Sequence, residues 1–269
     1  MKKLLQQFQK PQFVLLKFLA ILLLLLPLTG CGGSETPVSS SFAIKDQVTK
    51  VSTDVLEIDL NVPILSGFDS AADINKEISE RIAAGRAEVE AAASNIEADQ
   101  SQMKAGLHSN YLHSKNGDLV SLWMMVDNYT GGAHGLYWIE PYTFNILLGE
   151  RYDFIGLFRE GNASAALVTD QILNTITKNP ELYFESAEES VKNYKNEYPF
   201  YINGNQLVVF FSLYDIAPYA GGIQFFDFDA EELKDILKPE IYEAMKDATQ
   251  VDTSGTISEH SSTGSQGMK

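Results

Sequence analysis

Apolar and polar residues are distributed along the first part of the chain in patterns that predict a strand followed by a long helix. Residues 56–62 alternate strictly between apolar and polar, which is typical of a strand with one buried face. Asp69 or Ser70 is then suitably placed to cap a helix. The apolar residues that follow recur at helical spacing, as expected for packing against a sheet: Ile74, Ile78, Ile82, Val89, Ala93 and Ile96.

A β-hairpin is predicted after this helix. Two strand-like segments, 108–114 and 119–126, are separated by a short polar stretch that contains Asn116 and Gly117. Asn-Gly between two such segments is the strongest short-range hairpin signal, because both turn positions then take a positive φ.

The second part of the chain contains a glycine-rich corner followed by further strands and helices. Residues 130–135 form the corner, and Ala165, Val168, Ile172 and Ile176 give one helix its apolar stripe. The other predicted elements are strands at 136–144, 200–202, 206–211 and 223–228, a polar helix at 185–195, a loop at 214–222 and a short helix at 231–237. Strands and helices come in blocks, which predicts an α+β fold with antiparallel sheets, a long helix in the first part and two helices in the second.

The amino terminus has the organisation of an export signal. Four lysines precede the apolar run 18–28, and no acidic residue occurs before Glu35. The sequence Leu28-Thr29-Gly30-Cys31 resembles a bacterial lipobox, which implies that Cys31, the only cysteine, receives diacylglycerol and an acyl chain such as palmitate. A signal anchor with an incidental cysteine is the alternative. The lipobox predicts a lipoprotein on the extracytoplasmic face of the cell membrane.

These features divide the chain into five regions. We predict a signal peptide at 1–30, a flexible tether at 31–45, a small α+β domain at 46–129, a C-terminal α+β domain at 130–249 and a disordered tail at 250–269. The tether and the tail are assigned because both are rich in small and polar residues.

The charge of the chain is strongly negative. Lys and Arg number 20 and Asp and Glu 36, and four of the basic residues fall within the predicted signal peptide, so the remainder carries a formal net charge of −20. Such a surface disfavours nucleic acid, which is bound by basic faces, and attracts cationic proteins over long distances. The alternative explanation of this charge is solubility alone.

Few residues suggest catalysis, and no metal or cofactor is expected. His108 and His113 lie five residues apart on a predicted strand, so their side chains point to opposite faces and cannot share a metal ion. The sequence has no second thiol for a zinc site and no phosphate-binding glycine loop. Asp227, Asp229 and Glu140 are the candidate acid and base residues of a wall-glycan enzyme, the least favoured of the functions considered.

Two short motifs carry a resemblance to a known family. Thr130-Gly-Gly-Ala-His-Gly135 and Ile216-Ala-Pro-Tyr-Ala-Gly-Gly222 are similar to two hallmark stretches of the RsiV-like extracytoplasmic domains. That family includes the outer domain of lysozyme-binding anti-sigma factors and an N-terminal region of some peptidoglycan deacetylases. Residues 55–127 resemble the smaller domain that usually precedes it.

The resemblance implies a non-enzymatic binding module held at the membrane by lipid. The expected partner is a cationic envelope protein such as lysozyme, or peptidoglycan itself, with a structural or assembly lipoprotein as the alternative. The hallmark loops supply the candidate contact residues, although glycines and a histidine in such loops also serve to fix turns. These candidates are Gly131, Gly132, His134, Gly135, Tyr214, Pro218 and Tyr219.

Overall fold

The computed structural model describes residues 41–96, 104–251 and 253. The predicted signal peptide, Cys31 and most of the predicted tail lie outside the described residues.

The first of two sheets has six strands in the order in which they occur along the chain. All neighbouring strands are antiparallel except β2 and β3, which are parallel because α1 crosses over between them. The elements are β1 (Ala43–Ser52), β2 (Leu56–Ser66), α1 (Ala71–Ala93), β3 (Ala105–Asn116), β4 (Leu119–Tyr129), β5 (Leu136–Asn145) and β6 (Glu150–Arg151).

The second sheet has three antiparallel strands in the order β7-β8-β9 and is accompanied by the remaining helices. The elements are α2 (Asn162–Lys178), α3 (Ala187–Asn193), β7 (Phe200–Asn203), β8 (Gln206–Phe211), β9 (Gln224–Asp229), α4 (Ala230–Leu233) and α5 (Pro239–Met245). The fold is therefore α+β, as the sequence predicts.

The two sheets pack face to face between two helical layers. One face of the six-stranded sheet contacts α1 through residues such as Met124, and its other face contacts the three-stranded sheet through residues such as Trp123. The rings of Trp123 and Tyr201 stack across this interface, with centroids 4.4 Å apart. The second sheet packs its outer face on α2–α5. Because β8 is buried on both faces, its sequence is a continuous apolar run rather than an alternating one.

Buried polar side chains join the two sheets at one end of β4. The Ile202 amide donates to Ser121 Oγ at 2.8 Å, and the Gly204 amide donates to Ser114 Oγ at 3.0 Å. Asn116 Nδ2 in turn donates to the Gly204 carbonyl at 2.9 Å. These hydrogen bonds fix how the second sheet lies on the first, since buried polar groups are costly to leave unpaired.

Several local predictions need correction. The predicted tether at 31–45 extends too far, because residues 43–45 already belong to β1, a strand that the sequence analysis missed together with α5. In the hairpin, Asn116 stays in β3 and only Gly117 has a positive φ. Ser70 is the residue at the N-cap of α1, but its side chain makes no capping hydrogen bond.

The division at residue 130 cuts through the six-stranded sheet. It falls between β4 and β5, which pair along ten residues from Leu119↔Asn145 to Asn128↔Leu136. Strands of both predicted domains therefore contribute to one sheet.

Within the described part of the chain, no helix combines the length and apolar character needed to cross a membrane.

Candidate binding site

The two glycine-containing loops lie against each other, although 78 residues separate them in the sequence. The rings of His134 and Tyr219 stack with centroids 3.8 Å apart and an interplanar angle of 22°. Tyr219 Oη also donates to the Gly135 carbonyl at 2.9 Å. Tyr214 and Tyr137 contact the same tyrosine, with ring centroids at 5.7 and 6.4 Å. We call His134, Tyr137, Tyr214 and Tyr219 the aromatic patch.

The aromatic patch is accessible from solvent. His134 is exposed, Tyr214 is 50% exposed and Tyr219 is half-buried, while Tyr137 is buried beneath them on β5. Pro218, next to Tyr219, is also exposed. Tyr137 therefore anchors the cluster to the core, while His134, Tyr214 and Tyr219 are at least partly accessible to solvent.

Two different constraints explain the glycines of the 130–135 loop: a positive φ and a close steric contact. Gly131 and Gly132 have φ values of 113° and 95°, a region that residues with side chains rarely adopt. Gly135 has no such φ; instead, a Cβ there would lie 2.6 Å from the Asn128 carbonyl oxygen. Tyr129 Oη donates to the Gly132 carbonyl at 2.8 Å and fastens the loop to β4.

The 214–222 loop is held by Asp215. Its Oδ2 atom accepts hydrogen bonds from the Ser212 amide at 2.9 Å and from Tyr194 Oη at 2.7 Å. These bonds fix Tyr214 with φ = 68°, a strained conformation for a bulky residue. Backbone strain of this kind is concentrated at binding and active sites, where the surrounding structure maintains it. Hydrogen bonds to Asp215 thus hold the start of the loop in place.

A carboxylate lies beside the aromatic patch. Asp127 is partly exposed on β4 and pairs with Tyr137 of β5 across the strands. Partial burial raises the pKa of the Tyr219 hydroxyl, and the nearby Asp127 carboxylate and Tyr214 hydroxyl raise it further. His108 Nδ1 lies 3.6 Å from Asp127 Oδ1, and the hydrogen bond to Asp127 raises the pKa of His108.

The candidate catalytic carboxylates do not converge. Glu140 lies on the face of the first sheet that α1 covers; its carboxylate accepts a bond from Trp138 Nε1 at 2.8 Å and lies 3.8 Å from Arg81. Burial is the main reason that the pKa of Glu140 is raised. Asp227 and Asp229 lie on β9 of the other sheet, where partial desolvation and then the charge of Asp229 raise the pKa of Asp227.

The histidines that the structure describes likewise form no metal site. His108 pairs with Asp127, whereas desolvation lowers the pKa of His113 on the same strand. Among the described residues, no group of three or more His, Cys, Asp or Glu is arranged to hold a metal ion.

The structure therefore brings together the candidate contact residues of the two loops, around the His134–Tyr219 stack. Sequence reasoning missed Tyr137, Tyr129 and Asp127 as their neighbours. Asp127 could have been identified from the sequence. It directly follows the largely apolar segment 119–126, which indicates a charged residue within a strand. Cys31, the predicted lipidation site, lies outside the described residues.

Comparison with known families gives two separate matches along the chain. Residues 49–137 match the family model described as deacetylase PdaC, and residues 156–231 match the model of the DUF3298 family, a protein family of unknown function. The 130–135 loop thus falls in the first match and the 214–222 loop in the second. No curated protein matches the chain.

Two solved structures of DUF3298 family proteins are similar to this fold. The protein from Bacteroides fragilis has 17% sequence identity and a TM-score of 0.53, with 76% of this chain and 98% of the other covered. The protein from Pseudomonas aeruginosa has 14% identity and a TM-score of 0.42, with 74% and 94% covered. The first of these comparisons shows a shared fold.

Proposed function

We propose that the protein is a lipid-anchored, non-enzymatic binding module of the cell envelope that engages a cationic wall-acting protein through the aromatic patch. One observation carries the proposal: two loops from separate parts of the chain meet and stack His134 on Tyr219 at the surface. Folding alone does not require exposed aromatic rings on rigid loops, and such rings are typical of binding hot spots.

The chemistry around the patch favours a basic partner. A lysine or arginine side chain can lie over the face of a tyrosine ring, an interaction worth about 0.5–2 kcal/mol. Asp127 places a carboxylate next to the same rings, and the net charge of the mature chain steers basic proteins toward it. Because Asp215 already fixes the 214–222 loop, little conformational entropy is lost when a partner binds.

The family matches support this proposal at a coarse level. PdaC-like and DUF3298 domains are compatible with the RsiV-like resemblance, which suggests lysozyme as the partner to test first. Peptidoglycan is the competing ligand, because aromatic rings also stack on sugars.

Capture from an envelope extract tests the proposal without assuming a partner. Mature protein bearing Cys31→Ser is immobilised and incubated with extract at low and at high salt, beside a Tyr219→Ala variant. We expect the immobilised protein with an intact aromatic patch to retain a basic protein at both salt concentrations. The Tyr219→Ala variant should not retain it. Retention of wall fragments alone would instead assign the patch to peptidoglycan.

The proposed anchor makes a separate prediction. Cys31→Ala should leave the precursor unacylated and shift its processing, as seen by metabolic labelling with a radioactive fatty acid. A single acyl chain binds membranes only weakly, so stable retention needs the several chains that a lipoprotein cysteine carries. Recovery of the wild-type protein entirely in the soluble fraction would contradict the anchor.

A further inference from the structure

The turn between β5 and β6 exposes two adjacent leucines. Leu147 is 57% and Leu148 59% exposed, and both of their backbone amides donate to Asn145 Oδ1 at 2.9 Å. The Gly149 amide closes the turn on the Asn145 carbonyl, also at 2.9 Å. Turns are usually polar, and single exposed leucines are common, but a rigid turn that presents an apolar pair needs an explanation.

This turn lies at the end of the molecule where the described chain begins. A Cβ on Gly67 would come within 2.4 Å of the Ser41 carbonyl carbon, and a Cβ on Gly149 within 2.9 Å of Asp69 Cβ. Ser41 and the leucine turn therefore both contact the short segment 67–69. A third apolar side chain, that of Ile64, lies near the end of β2, just before this segment, and is 38% exposed.

We infer that Leu147 and Leu148, with Ile64, contact the lipid bilayer to which Cys31 is attached. This inference rests on the proposed anchor. Only ten peptide units separate Cys31 from Ser41, and they span at most about 35 Å, so this end of the molecule stays close to the membrane. Apolar side chains at an interface bury themselves at the boundary between head groups and acyl chains.

The flanking charges indicate which lipid is preferred. Asp69 and Glu150 are exposed beside the turn, while Arg151 Nη1 donates a hydrogen bond to Glu77 Oε2 at 2.7 Å. Lys45, exposed and paired with Ile64 across β1 and β2, adds one positive charge to these two carboxylates. The surroundings of the turn therefore do not attract anionic head groups and suit a zwitterionic surface.

Contact with the bilayer here also orients the aromatic patch. The leucine turn follows the end of β5, and the 130–135 loop precedes its beginning. A strand of this length spans about 30 Å, since each residue advances about 3.3 Å. The patch therefore faces away from the membrane, toward the wall.

Tryptophan quenching tests this contact in the full, acylated protein. Leu148→Trp is reconstituted in phosphatidylcholine vesicles with and without brominated acyl chains, and the wild type supplies the background from Trp123 and Trp138. We expect the bromine to remove roughly half of the added emission, because interfacial side chains reach about 5–10 Å into the boundary region. Leu182→Trp is the matched control: Leu182 is 53% exposed but lies beyond α2, and its emission should be unaffected.

Flotation of the same samples separates the possible results. Wild-type protein that floats with vesicles while the Leu148→Trp emission stays unquenched would overturn the bilayer contact and leave the anchor standing. Wild-type protein that does not float would refute the anchor, and the inference with it. Thermal melts confirm that both variants are folded, as expected for substitutions at exposed positions.

Discussion

Replacement of Tyr219 by alanine is expected to weaken binding of a cationic partner by about 30-fold or more. The substitution removes the ring that stacks on His134 and contacts Tyr214 and Tyr137, so the whole aromatic patch loses its centre. Truncation of a central aromatic hot spot typically costs at least about 2 kcal/mol of binding free energy. Calorimetric titration with lysozyme gives the affinity, and a thermal melt shows whether the fold persists.

Two further variants identify the origin of this loss. Tyr219→Phe keeps the stacked ring and removes only the hydrogen bond to the Gly135 carbonyl, so most of the affinity should remain. Tyr242→Ala is the control. Tyr242 lies on α5, next to residues that line a depression together with the β3–β4 turn. This depression is at the end of β4 away from the aromatic patch. Equal losses from Tyr219→Ala and Tyr242→Ala would show that stability, rather than contact, governs binding.

His134 defines how far the contact surface extends. We expect His134→Ala to reduce affinity less than Tyr219→Ala, because the histidine stacks on only one tyrosine of the patch. If His134→Ala abolished binding without changing the melting temperature, the histidine would be a main contact residue.

The second large effect is expected on stability. Gly135→Val should destabilise the fold by about 3 kcal/mol, because a Cβ at this position overlaps the Asn128 carbonyl oxygen of β4 and neither backbone can move easily. For a domain of this size the melting temperature should fall by roughly 10 °C. Urea unfolding of mature protein measures the free-energy difference.

Gly132→Ala is a control that measures the cost of a positive φ where no steric contact is present. No atom lies within 4 Å of a Cβ built on Gly132, so only its positive φ opposes the substitution, at a cost of about 1 kcal/mol. Equal destabilisation by the two variants would contradict the explanation of Gly135 by steric contact.

Much of the fold could be predicted from the sequence because burial on one face leaves a periodic pattern. The strand at 56–62 and the stripe of α1 both carried such a pattern, whereas the hairpin was recognised from its Asn116-Gly117 turn. β1 did not, because it is an edge strand that is largely exposed and so mixes Lys45, Asp46 and Gln47 with few apolar residues. Its structure depends on pairing with β2, which a local pattern cannot show.

The candidate site shows the same limit. The loop residues could be singled out by their glycines and aromatic residues, but their proximity results from the packing of one sheet on the other. That packing depends on distant contacts, such as the Trp123–Tyr201 stack and the bond from the Ile202 amide to Ser121. Asp127 was missed for a different reason, since its role follows from the register of β4 and β5, which places it beside Tyr137 within one sheet.

Titration of one protein against two basic partners tests the proposed function most directly. Mature Cys31→Ser protein is titrated calorimetrically with lysozyme and with cytochrome c, at low salt and at roughly 0.5 M salt, where screening suppresses interactions between exposed charges. Specific recognition through the aromatic patch predicts that lysozyme binds more tightly and keeps part of its affinity at high salt, because contacts with Tyr214, Pro218 and Tyr219 are not screened. Equal binding of both proteins that disappears at high salt, or no binding of lysozyme at low salt, would contradict it.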